Sequence, residues 1–591
     1  MALSPRISTT GLTVAAIATV TAGLTAAAGT PAAAPAAHRY AVRVVAPAGG
    51  GRCAPAWRAV VAPDPGVANV LFGAAALSRR DAWAVGSQTK DGKTLITLAD
   101  HFDGTRWRVV PSPNTASSEN DLFGVAALAA NDVWAVGRIG TPFVTRTLPL
   151  IEHYNGTSWK IVKAPQLAGD TELGAVLGFA ADDVWAAGDG RAPGSANRAF
   201  MLHWNGSRWG VAHLPPLPGV NDYLFALGAS GPRDMWTVGG NFQGTGDPTA
   251  IHWDGHAWTR VRVATAIPSD SFYSVAATAR GDAWAGGTGG VYQNDKAIMA
   301  HWTGTAWSFA RFPQLGKGFG NKGQGPVNQV DALTGSSPGD VWAAGEYMSW
   351  PKPYHHGPLT EFMAHWDGAS WQAWPGRANR LSHQVTTLAN GPVLSPVWSV
   401  GEQDSRSGFH SAIDRICPVA VNDQGFTPEH SSVALGETAA WRVVSANAPV
   451  SIRDTTGMIR SGFIGAGGSF IHGFSASGTY RIRASEGDGT PTLPVAAPAT
   501  IAVSPDISQA APARATVRWA LSAAAPGFVF DVQVRRPGTA RFVNWKTGTR
   551  LVTAIFTADR GAGTYAFRAR VRRVHGAGTT GYSPSVAIHL R

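Results

Sequence analysis

A six-residue motif, Asp-x-Trp-x-x-Gly, recurs through the first two thirds of this 591-residue chain. The last copy has proline in place of the aspartate. The copies are DAWAVG (81–86), DVWAVG (132–137), DVWAAG (183–188), DMWTVG (234–239), DAWAGG (282–287), DVWAAG (340–345) and PVWSVG (396–401). Their tryptophans are 51, 51, 51, 48, 58 and 56 residues apart. Self-similarity at such a period indicates one supersecondary unit that is repeated and stacked.

A second motif, seven residues long, lies between successive copies of the first. Its copies are HFDGTRW (101–107), HYNGTSW (153–159), HWNGSRW (203–209), HWDGHAW (252–258), HWTGTAW (301–307) and HWDGASW (365–371). The Asn-Gly or Asp-Gly pair in most copies predicts a two-residue hairpin turn, because both turn positions require positive φ. Each repeat then reads as four strands, which is typical of a β-propeller blade. The first strand of each repeat is rich in Gly and Ala. This composition suits the crowded centre of a propeller, where the inner strands converge and large side chains are not expected to fit.

The repeat count predicts how the ring closes. There are seven copies of the first motif and six of the second, because the seventh repeat stops at Cys417 before its turn and fourth strand. The segment 53–63 matches the fourth strand of the first repeat, 103–113, and is expected to complete the last blade. Cys53 and Cys417 then meet where other repeats have their turn. We predict a disulfide between them, which is typical of an exported chain.

These motifs resemble those of seven-bladed propellers of the kelch and galactose-oxidase type, over about 360 residues. The seven-residue motif also resembles the Asp-box of sialidases, although it is shorter and lacks the leading Ser-x-Asp. Both families contain enzymes, so the resemblance alone does not decide the function. A copper radical site of the galactose-oxidase kind needs a crosslinked Cys–Tyr pair, and the predicted disulfide uses both cysteines of the chain.

The seven-residue motif allows a ligand site or a structural hairpin, and the sequence favours the hairpin. The motif occurs in every full repeat, so it marks what all blades need. Its two aromatic residues lie on adjacent strands, where cross-strand pairs stabilise sheets. Its histidine lacks the neighbouring ligands of a metal site. The Asp of the first motif is interpreted in the same way, as a cap before the second strand.

Ligand-binding candidates therefore come from the unrepeated loops, which vary on one face of the predicted propeller. The loop 346–358 is the strongest candidate, because it carries Tyr347, Trp350, Tyr354, His355 and His356 among prolines. Aromatic and imidazole side chains suit stacking on sugars. Drifted surface loops are the alternative explanation for the variation.

A polar residue also precedes most copies of the first motif by twelve or thirteen positions. These residues are expected to begin the inner strands and to surround the channel mouth on the variable face. Capping of the strand start is the alternative role. The residues are Asn69, Asn120, Thr171, Asn221, Asp270, Asn328 and His383. No catalytic constellation is recognised, and the acids of the variable loops, including Glu346, cannot be placed together.

Residues 418–504 resemble a cupredoxin domain through GFTP, the V-x-x-G-x-x-x-x-W pattern and F-x-x-x-GTY. Copper members need two histidines and a cysteine, since soft ligands select copper. Val450, Ala484 and Gly487 stand at those positions, and His472 stands where the family has no ligand. We therefore expect a β-sandwich without copper, and no metal or cofactor elsewhere.

Residues 505–591 resemble a fibronectin type III module through ATVRWALS, FVNW and GTYAFRARVRRV. This segment holds 13 Lys and Arg residues against 3 acids, a net charge of +10 of the +11 in the whole chain. Such a concentration favours adhesion to anionic material such as cell-wall polymers, with a solubilising surface as the alternative. Nucleic acid is not an expected partner outside the cell.

The N-terminal segment 1–37 has an apolar run followed by Ala/Pro-rich sequence, which is typical of a secretory signal peptide. The sequence thus predicts a secreted, all-β monomer without a membrane span. A seven-bladed propeller over 53–417, closed by an N-terminal strand, precedes β-sandwich domains over 418–504 and 505–591. The favoured function is non-catalytic recognition of carbohydrate or a surface polymer. The alternative is a carbohydrate-active lyase or hydrolase with its site on the same face.

Overall fold

The computed structural model describes residues 58–590 except for gaps at 142–145, 193–194, 218–221, 242–247, 265–269, 292–293, 317–326, 350–358, 376–382, 391–396, 406–407, 417–418, 423–424, 428–430, 434, 436–437, 445–448, 485–491, 504–513, 562 and 576–577. The described chain is all-β, with strands and no helix. It accordingly contains no helical segment with the length and apolarity to cross a bilayer. The predicted signal peptide, Cys53 and Cys417 lie outside the described residues.

The first 28 described strands form antiparallel units of four, which we number in chain order. Unit 1 is β2 (Ala68–Ser78), β3 (Asp81–Thr89), β4 (Leu95–Phe102) and β5 (Trp107–Val109). Unit 2 is β6 (Asn120–Ala129), β7 (Asp132–Ile139), β8 (Leu148–Tyr154) and β9 (Trp159–Ile161). Unit 3 is β10 (Asp170–Ala180), β11 (Asp183–Arg191), β12 (Arg198–Trp204) and β13 (Trp209–Ala212).

The next units repeat this order. Unit 4 is β14 (Asp222–Gly231), β15 (Asp234–Asn241), β16 (Thr249–Trp253) and β17 (Trp258–Arg260). Unit 5 is β18 (Ser271–Ala279), β19 (Asp282–Val291), β20 (Asn294–Trp302) and β21 (Trp307–Phe309), joined to unit 4 by one pairing between β15 and β18. Unit 6 is β22 (Val327–Ser337), β23 (Asp340–Met348), β24 (Thr360–Trp366) and β25 (Trp371–Pro375).

Unit 7 takes its fourth strand from the other end of the chain. It consists of β26 (His383–Asn390), β27 (Val397–Ser405), β28 (Gly408–Ile416) and β1 (Arg58–Val60). Strand β1 pairs antiparallel with β28, with Val60 opposite Ile413, as expected from the sequence match. The inner strand of each unit contacts that of the next, and β26 contacts β2. The units therefore close into a ring, and this all-β arrangement fits a β-propeller.

Each inner strand carries a β-bulge near its middle. The pairing of β6 with β7, for example, skips one residue between Leu122 and Gly124, so that Phe123 has no partner on β7. A bulge leaves its extra residue unpaired and re-aims its side chain. The bulge residues are Phe72, Phe123, Gly174, Phe225, Tyr273, Asp331 and Thr386. All of them line the central channel.

The same bulges explain the repeated glycine of the first motif. A Cβ on Gly137 would lie well under 3 Å from the carbonyl oxygen of Asp121 on the neighbouring inner strand. The corresponding glycine of every other unit meets an inner-strand carbonyl oxygen in the same way. The glycine therefore gives the bulged strand room to pack.

Aromatic side chains of the two motifs pack each unit against the next. Trp83 of unit 1 meets the ring of Trp159 of unit 2 edge-on, with centroids 5.4 Å apart. Trp398 of unit 7 meets Trp107 of unit 1 in the same way at 5.1 Å, across the closure of the ring. Both tryptophans of each pair are buried. The structure thus assigns the aromatic residues the packing role predicted from the sequence.

The turn of the seven-residue motif differs from the predicted two-residue hairpin. Phe102 pairs with Trp107, so the loop contains four residues. The Asp103 Oδ1 atom accepts hydrogen bonds from the backbone N–H groups of Thr105 and Arg106, at 2.9 and 3.0 Å. Gly104 has positive φ, at 90°. An Asx turn stabilises this wider loop, which the Asp-Gly pair alone does not distinguish from a two-residue turn.

The middle module is built from two sheets around one apolar core that includes the buried Trp441, Ile452 and Tyr480. Its strands are β29 (Val419–Asn422), β30 (Gly425–Thr427), β31 (Ser431–Ser432), β32 (Thr438–Val443), β33 (Val450–Asp454), β34 (Arg460–Ile464), β35 (Ser469–Gly473), β36 (Gly478–Ala484) and β37 (Thr492–Ala497). One sheet has the order β30-β29-β32-β35 and the other β31-β37-β36-β33-β34.

The last module has a separate core around the buried Trp519, Tyr565 and Phe567. Its strands are β38 (Thr500–Val503), β39 (Arg514–Arg518), β40 (Phe528–Arg535), β41 (Val543–Thr549), β42 (Thr553–Thr557), β43 (Gly563–Arg573) and β44 (Val586–Leu590). They form one sheet of order β38-β39-β42 and one of order β41-β40-β43-β44.

The middle module docks on unit 6 of the ring. Arg442 of the middle module contacts Asp340 and Ser336 of unit 6, and Arg442 is only 4% exposed. The Asp340 Oδ1 atom also accepts a hydrogen bond from His365 Nε2 at 2.8 Å. Burial lowers the pKa of His365 to about 3 and that of Arg442 to about 10. This histidine stays neutral at physiological pH, while the arginine supplies the positive charge beside Asp340.

Candidate functional site: an acid pair in the central channel

The histidine and aspartate of the two repeated motifs contact each other in the first six units. In unit 1, His101 Nε2 donates to Asp81 Oδ1 at 2.9 Å, and the imidazole stacks on Trp83 with centroids 4.4 Å apart. The same hydrogen bond recurs at 2.6 to 2.9 Å in units 2 to 6. The predicted structural role of the histidine agrees with this geometry. The aspartate binds a side chain of the third strand, an addition to the capping role predicted for it.

Asn120 and Asn328 lie at the starts of inner strands and are buried. The Asn120 Oδ1 atom accepts the backbone N–H of Thr115 at 3.0 Å, and its Nδ2 donates to the Ser117 carbonyl oxygen at 3.1 Å. The Asn328 Oδ1 atom accepts the backbone N–H of Leu315 at 2.8 Å. These contacts hold the loops that lead into the inner strands. They correspond to capping of the strand start, the alternative to a ligand-binding role.

The side chains of two other predicted ligand residues are described by the structure, and the rest are not. Tyr347 is half-buried against the core between units 5 and 6, and burial raises its pKa. Asp270 is fully buried immediately before β18. His383 begins β26, but its side chain is outside the described part of the structure. Trp350, Tyr354, His355 and His356 lie outside the described residues.

The bulge residues surround a channel cavity of about 380 Å³. Phe72 and Phe123 meet edge-on with centroids 5.4 Å apart, and Phe225 and Tyr273 do so at 5.5 Å. The expectation that only small side chains fit the centre is therefore wrong at these positions. The bulge turns one large side chain of these strands into the channel, while the Gly and Ala residues around it keep the inner strands close.

Unit 6 contributes a pair of carboxyl groups, of which Asp331 lines the cavity. Gln329 Nε2 donates to Asp331 Oδ1 at 2.9 Å and to Glu346 Oε1 at 2.8 Å. Asp331 is 9% and Glu346 8% exposed. The second oxygens, Asp331 Oδ2 and Glu346 Oε2, accept no hydrogen bond from the described residues. The pair thus offers two buried oxygen atoms that no described side chain satisfies.

Burial raises the pKa of both carboxyl groups. The pKa of Glu346 rises to about 8 because the group is buried and because Glu402 places a second negative charge nearby. The pKa of Asp331 rises for the same first reason, and the charge of Glu346 raises it further. Low-dielectric surroundings disfavour the charged form of an acid. Both groups therefore hold their protons to a higher pH than an exposed carboxyl group does, and a protonated carboxyl group can both donate and accept a hydrogen bond.

A second charged cluster lies at the junction of units 2 and 3. Arg138 is 2% exposed, its Nε lies 3.2 Å from Asp121 Oδ2, and its Nη1 donates to Glu172 Oε2 at 3.1 Å. The guanidinium also lies over the ring of Phe123, 5.2 Å from its centroid. Since Asp121 belongs to unit 2 and Glu172 to unit 3, the arginine crosslinks neighbouring units. We assign this cluster a structural role.

Loop composition does not reveal the acid pair, although a signal exists in the repeat itself. Aligned inner strands carry an aromatic residue, glycine or threonine at the bulge, and Asp331 is the acid among them. Glu346 directly follows the repeated glycine of its unit. Only the bulge register, which composition does not reveal, brings the two together beside Gln329.

The positions of the middle module that correspond to copper ligands carry no donor atoms. Val450 and Ala484 are 7% exposed and belong to its apolar core. Burial lowers the pKa of His472 to about 4, and its ring lies near Phe474 with centroids 5.4 Å apart. Gly487 lies outside the described residues. The residues present do not fit a cupredoxin copper site, and among the described residues no group of three potential ligands could hold a metal ion.

Comparisons with known proteins give structural likeness at low identity. Neither a protein-family model nor a curated protein matches the chain. A PL25 ulvan lyase matches with 9% identity and a TM-score of 0.40, over 60% of this chain and 95% of its own. The six-bladed propeller lectin of Aleuria aurantia matches with 15% identity and a TM-score of 0.31, over 49% and 93%. Trypanosoma rangeli sialidase matches with 10% identity and a TM-score of 0.31, over 88% and 87%.

Proposed function

We propose that the channel binds a neutral carbohydrate, and that the protein is a recognition protein. The observation that carries this proposal is the Asp331–Gln329–Glu346 cluster, in which Asp331 lines the cavity and the second oxygen of each carboxyl group has no partner among the described residues. Protonated carboxyl groups match sugar hydroxyls, which also donate and accept. Phe225 and Tyr273 line the same cavity and supply apolar ring surface, so a sugar ring gains both kinds of contact.

The charge state of the pair selects the class of ligand. An anionic ligand here would meet Asp331, Glu346 and the nearby Glu402, so its affinity falls as any of them ionises. A neutral ligand meets no charge repulsion and loses only the hydrogen bonds that the protonated carboxyl groups donate. The acid pair would hold one sugar unit, and the loop 346–358 is the candidate from sequence for contacts with the rest of the polymer.

Alanine at both acids is expected to abolish binding to the neutral glycan that wild type selects from a glycan array. Removing both carboxyl groups deletes the hydrogen-bonding groups and leaves Gln329 unpaired, which costs at least about a hundredfold in affinity. The control is Asp182→Ala, an exposed acid in the turn between β10 and β11. Binding by the double variant with wild-type affinity, or equal loss in the control, would reject the proposed site.

The second candidate is a carbohydrate-active enzyme that uses the same pair. Its support is the raised pKa of Glu346, which suits a general acid at neutral pH, close to a second carboxyl group. Glu346→Gln separates the two functions. The amide retains hydrogen bonds to a sugar but cannot transfer a proton, so turnover of a polysaccharide by wild type that Glu346→Gln abolishes would favour the enzyme.

We further propose the finer architecture expected from the sequence. The four-stranded units, the ring contacts and the pairing of β1 with β28 support a seven-bladed propeller of kelch or galactose-oxidase type. The separate two-sheet cores support a cupredoxin-like and a fibronectin type III-like β-sandwich. The N-terminal sequence supports secretion. An oxidising destination would in turn allow the disulfide.

A disulfide between Cys53 and Cys417 is expected in the secreted protein. The support is that β1 ends unit 7 beside β28, whose last residue is Ile416, adjacent to Cys417 in sequence. Peptide mapping without reductant should recover one peptide pair joined through these cysteines, and reduction should lower the melting temperature. Two free thiols in the secreted protein would contradict the expectation.

A further inference from the structure

The last module carries a row of arginines on the outer face of one sheet. Arg568, Arg570 and Arg572 alternate along β43 with the buried Phe567, Ala569 and Val571. Alternate residues of a strand point to the same face, about 7 Å apart. The row therefore presents guanidinium groups at a regular spacing away from the core.

Aromatic rings hold the first two arginines in place. The guanidinium carbon of Arg568 lies 4.2 Å from the ring centroid of Phe542 and 4.6 Å from that of Tyr582. The guanidinium carbon of Arg570 lies 4.6 Å from the ring centroid of Tyr582. Cation–π contacts of this kind fix the plane of a guanidinium group. We call Phe542, Arg568, Tyr582, Arg570 and Arg572 the arginine ladder.

Hydrogen bonds fix the ladder further, and they use the inner Nε atoms. Arg568 Nε donates to Gln533 Oε1 at 2.9 Å. Arg570 Nε and Arg572 Nε donate to Asp531 Oδ2 at 3.1 and 3.0 Å, and Asp531 is 3% exposed. The side chains of Arg570 and Arg572 remain 32% exposed. Because the Nε atoms bind the protein, the terminal amino groups of Arg568 and Arg570 are oriented for a ligand.

We propose that the arginine ladder binds a polysaccharide that carries carboxylate groups, such as a polyuronate. A guanidinium group pairs with a planar carboxylate through two parallel hydrogen bonds, and a pre-oriented group loses less entropy on binding. A polymer with repeated carboxylates can engage successive arginines, and a single Asp531 does not neutralise the ladder. This surface is on a different module from the channel, so it does not depend on the function proposed there.

The test measures binding of the full chain to polygalacturonate by biolayer interferometry, beside neutral dextran and single-stranded DNA. The double variant Arg568→Lys/Arg570→Lys keeps the net charge but loses the planar forks, and we expect it to lose at least about tenfold in affinity. The matched control is Arg514→Lys/Arg518→Lys, which changes two exposed arginines of β39 in the opposite sheet. We expect less than about a twofold change in that control.

A third variant guards against an effect on folding. Gln533→Ala leaves every arginine in place and removes the partner of Arg568 Nε together with one exposed hydrogen bond to Asn544, so a smaller loss of affinity is expected with little change in melting temperature. Unchanged binding by the ladder double variant, equal loss in the β39 control, equal binding to dextran, or tighter binding to DNA than to polygalacturonate would each overturn the proposal. The Asp331→Ala/Glu346→Ala variant is expected to bind polygalacturonate normally, which separates this surface from the channel.

Discussion

Replacing Gly137 with alanine is expected to destabilise the ring by about 3 kcal/mol or more. The added methyl group would overlap the carbonyl oxygen of Asp121, which the neighbouring bulged strand cannot withdraw without breaking its pairing. The backbone fixes the position of the new Cβ, and its partner in the clash is a backbone oxygen, so no side-chain rotation relieves it. Calorimetry of the full chain should show the ring transition at a lower temperature, or no folded ring at all.

Gly210→Ala is the control for this experiment. Gly210 is exposed on β13, and a Cβ there would meet nothing within 4 Å. Alanine at this strand position should leave the melting temperature unchanged or raise it slightly, because it restricts the unfolded chain. Equal stability of Gly137→Ala and Gly210→Ala would show that packing against the bulged strand does not explain why the motif repeats a glycine.

Glu152→Gln is expected to stabilise the protein at pH 8 and to have little effect at pH 5. Glu152 is fully buried on β8, and burial raises its pKa to about 8, moderated by the Ser112 hydroxyl. An acid whose pKa is higher in the folded state costs no stability below its unfolded pKa. The cost grows as the pH rises from there towards the folded pKa, and stays constant above it. The gain at pH 8 should be about 2–4 kcal/mol.

Calorimetric melting of both proteins at pH 5 and pH 8 checks this expectation. Asp100 and Glu346 also have pKa values raised to about 8 by burial, so the Glu152→Gln protein should still lose part of its stability between pH 5 and pH 8. The exposed Asp182, changed to Asn, is the control and should leave the pH dependence intact. A Glu152→Gln protein that loses as much stability as wild type between pH 5 and 8 would contradict the assignment.

The repeat made much of the ring accessible from sequence. Tryptophans at a regular spacing place the strands, and the missing seventh turn identifies the N-terminal segment as a partner for the last repeat; β1 indeed pairs with β28. The loop at Asp103 was predicted too short, because an Asp-Gly pair fits both a two-residue turn and an Asx-stabilised loop. Local sequence does not distinguish these, since the difference lies in two side-chain-to-backbone hydrogen bonds.

The candidate site could be predicted only in part. Loop composition directs attention to Tyr347 and its neighbours, but the acid pair depends on a bulge that turns Asp331 towards the channel. Alternation along a regular strand does not reveal such a one-residue shift. The arginine ladder shows the same limit: net charge reveals a basic module, whereas stacking on Phe542 and Tyr582 requires the sheet register and the course of the flanking segments.

The most direct test of the channel as a neutral-carbohydrate site is the pH dependence of its affinity. Titration calorimetry with the glycan selected by wild type should give a constant affinity from pH 5 to 7, then a fall of about tenfold or more by pH 9 as the pair ionises. Glu346→Gln should bind across the whole range with a much smaller fall. A wild-type affinity that stays constant or rises up to pH 9, or a Glu346→Gln protein that fails to bind at pH 6, would contradict the proposed site.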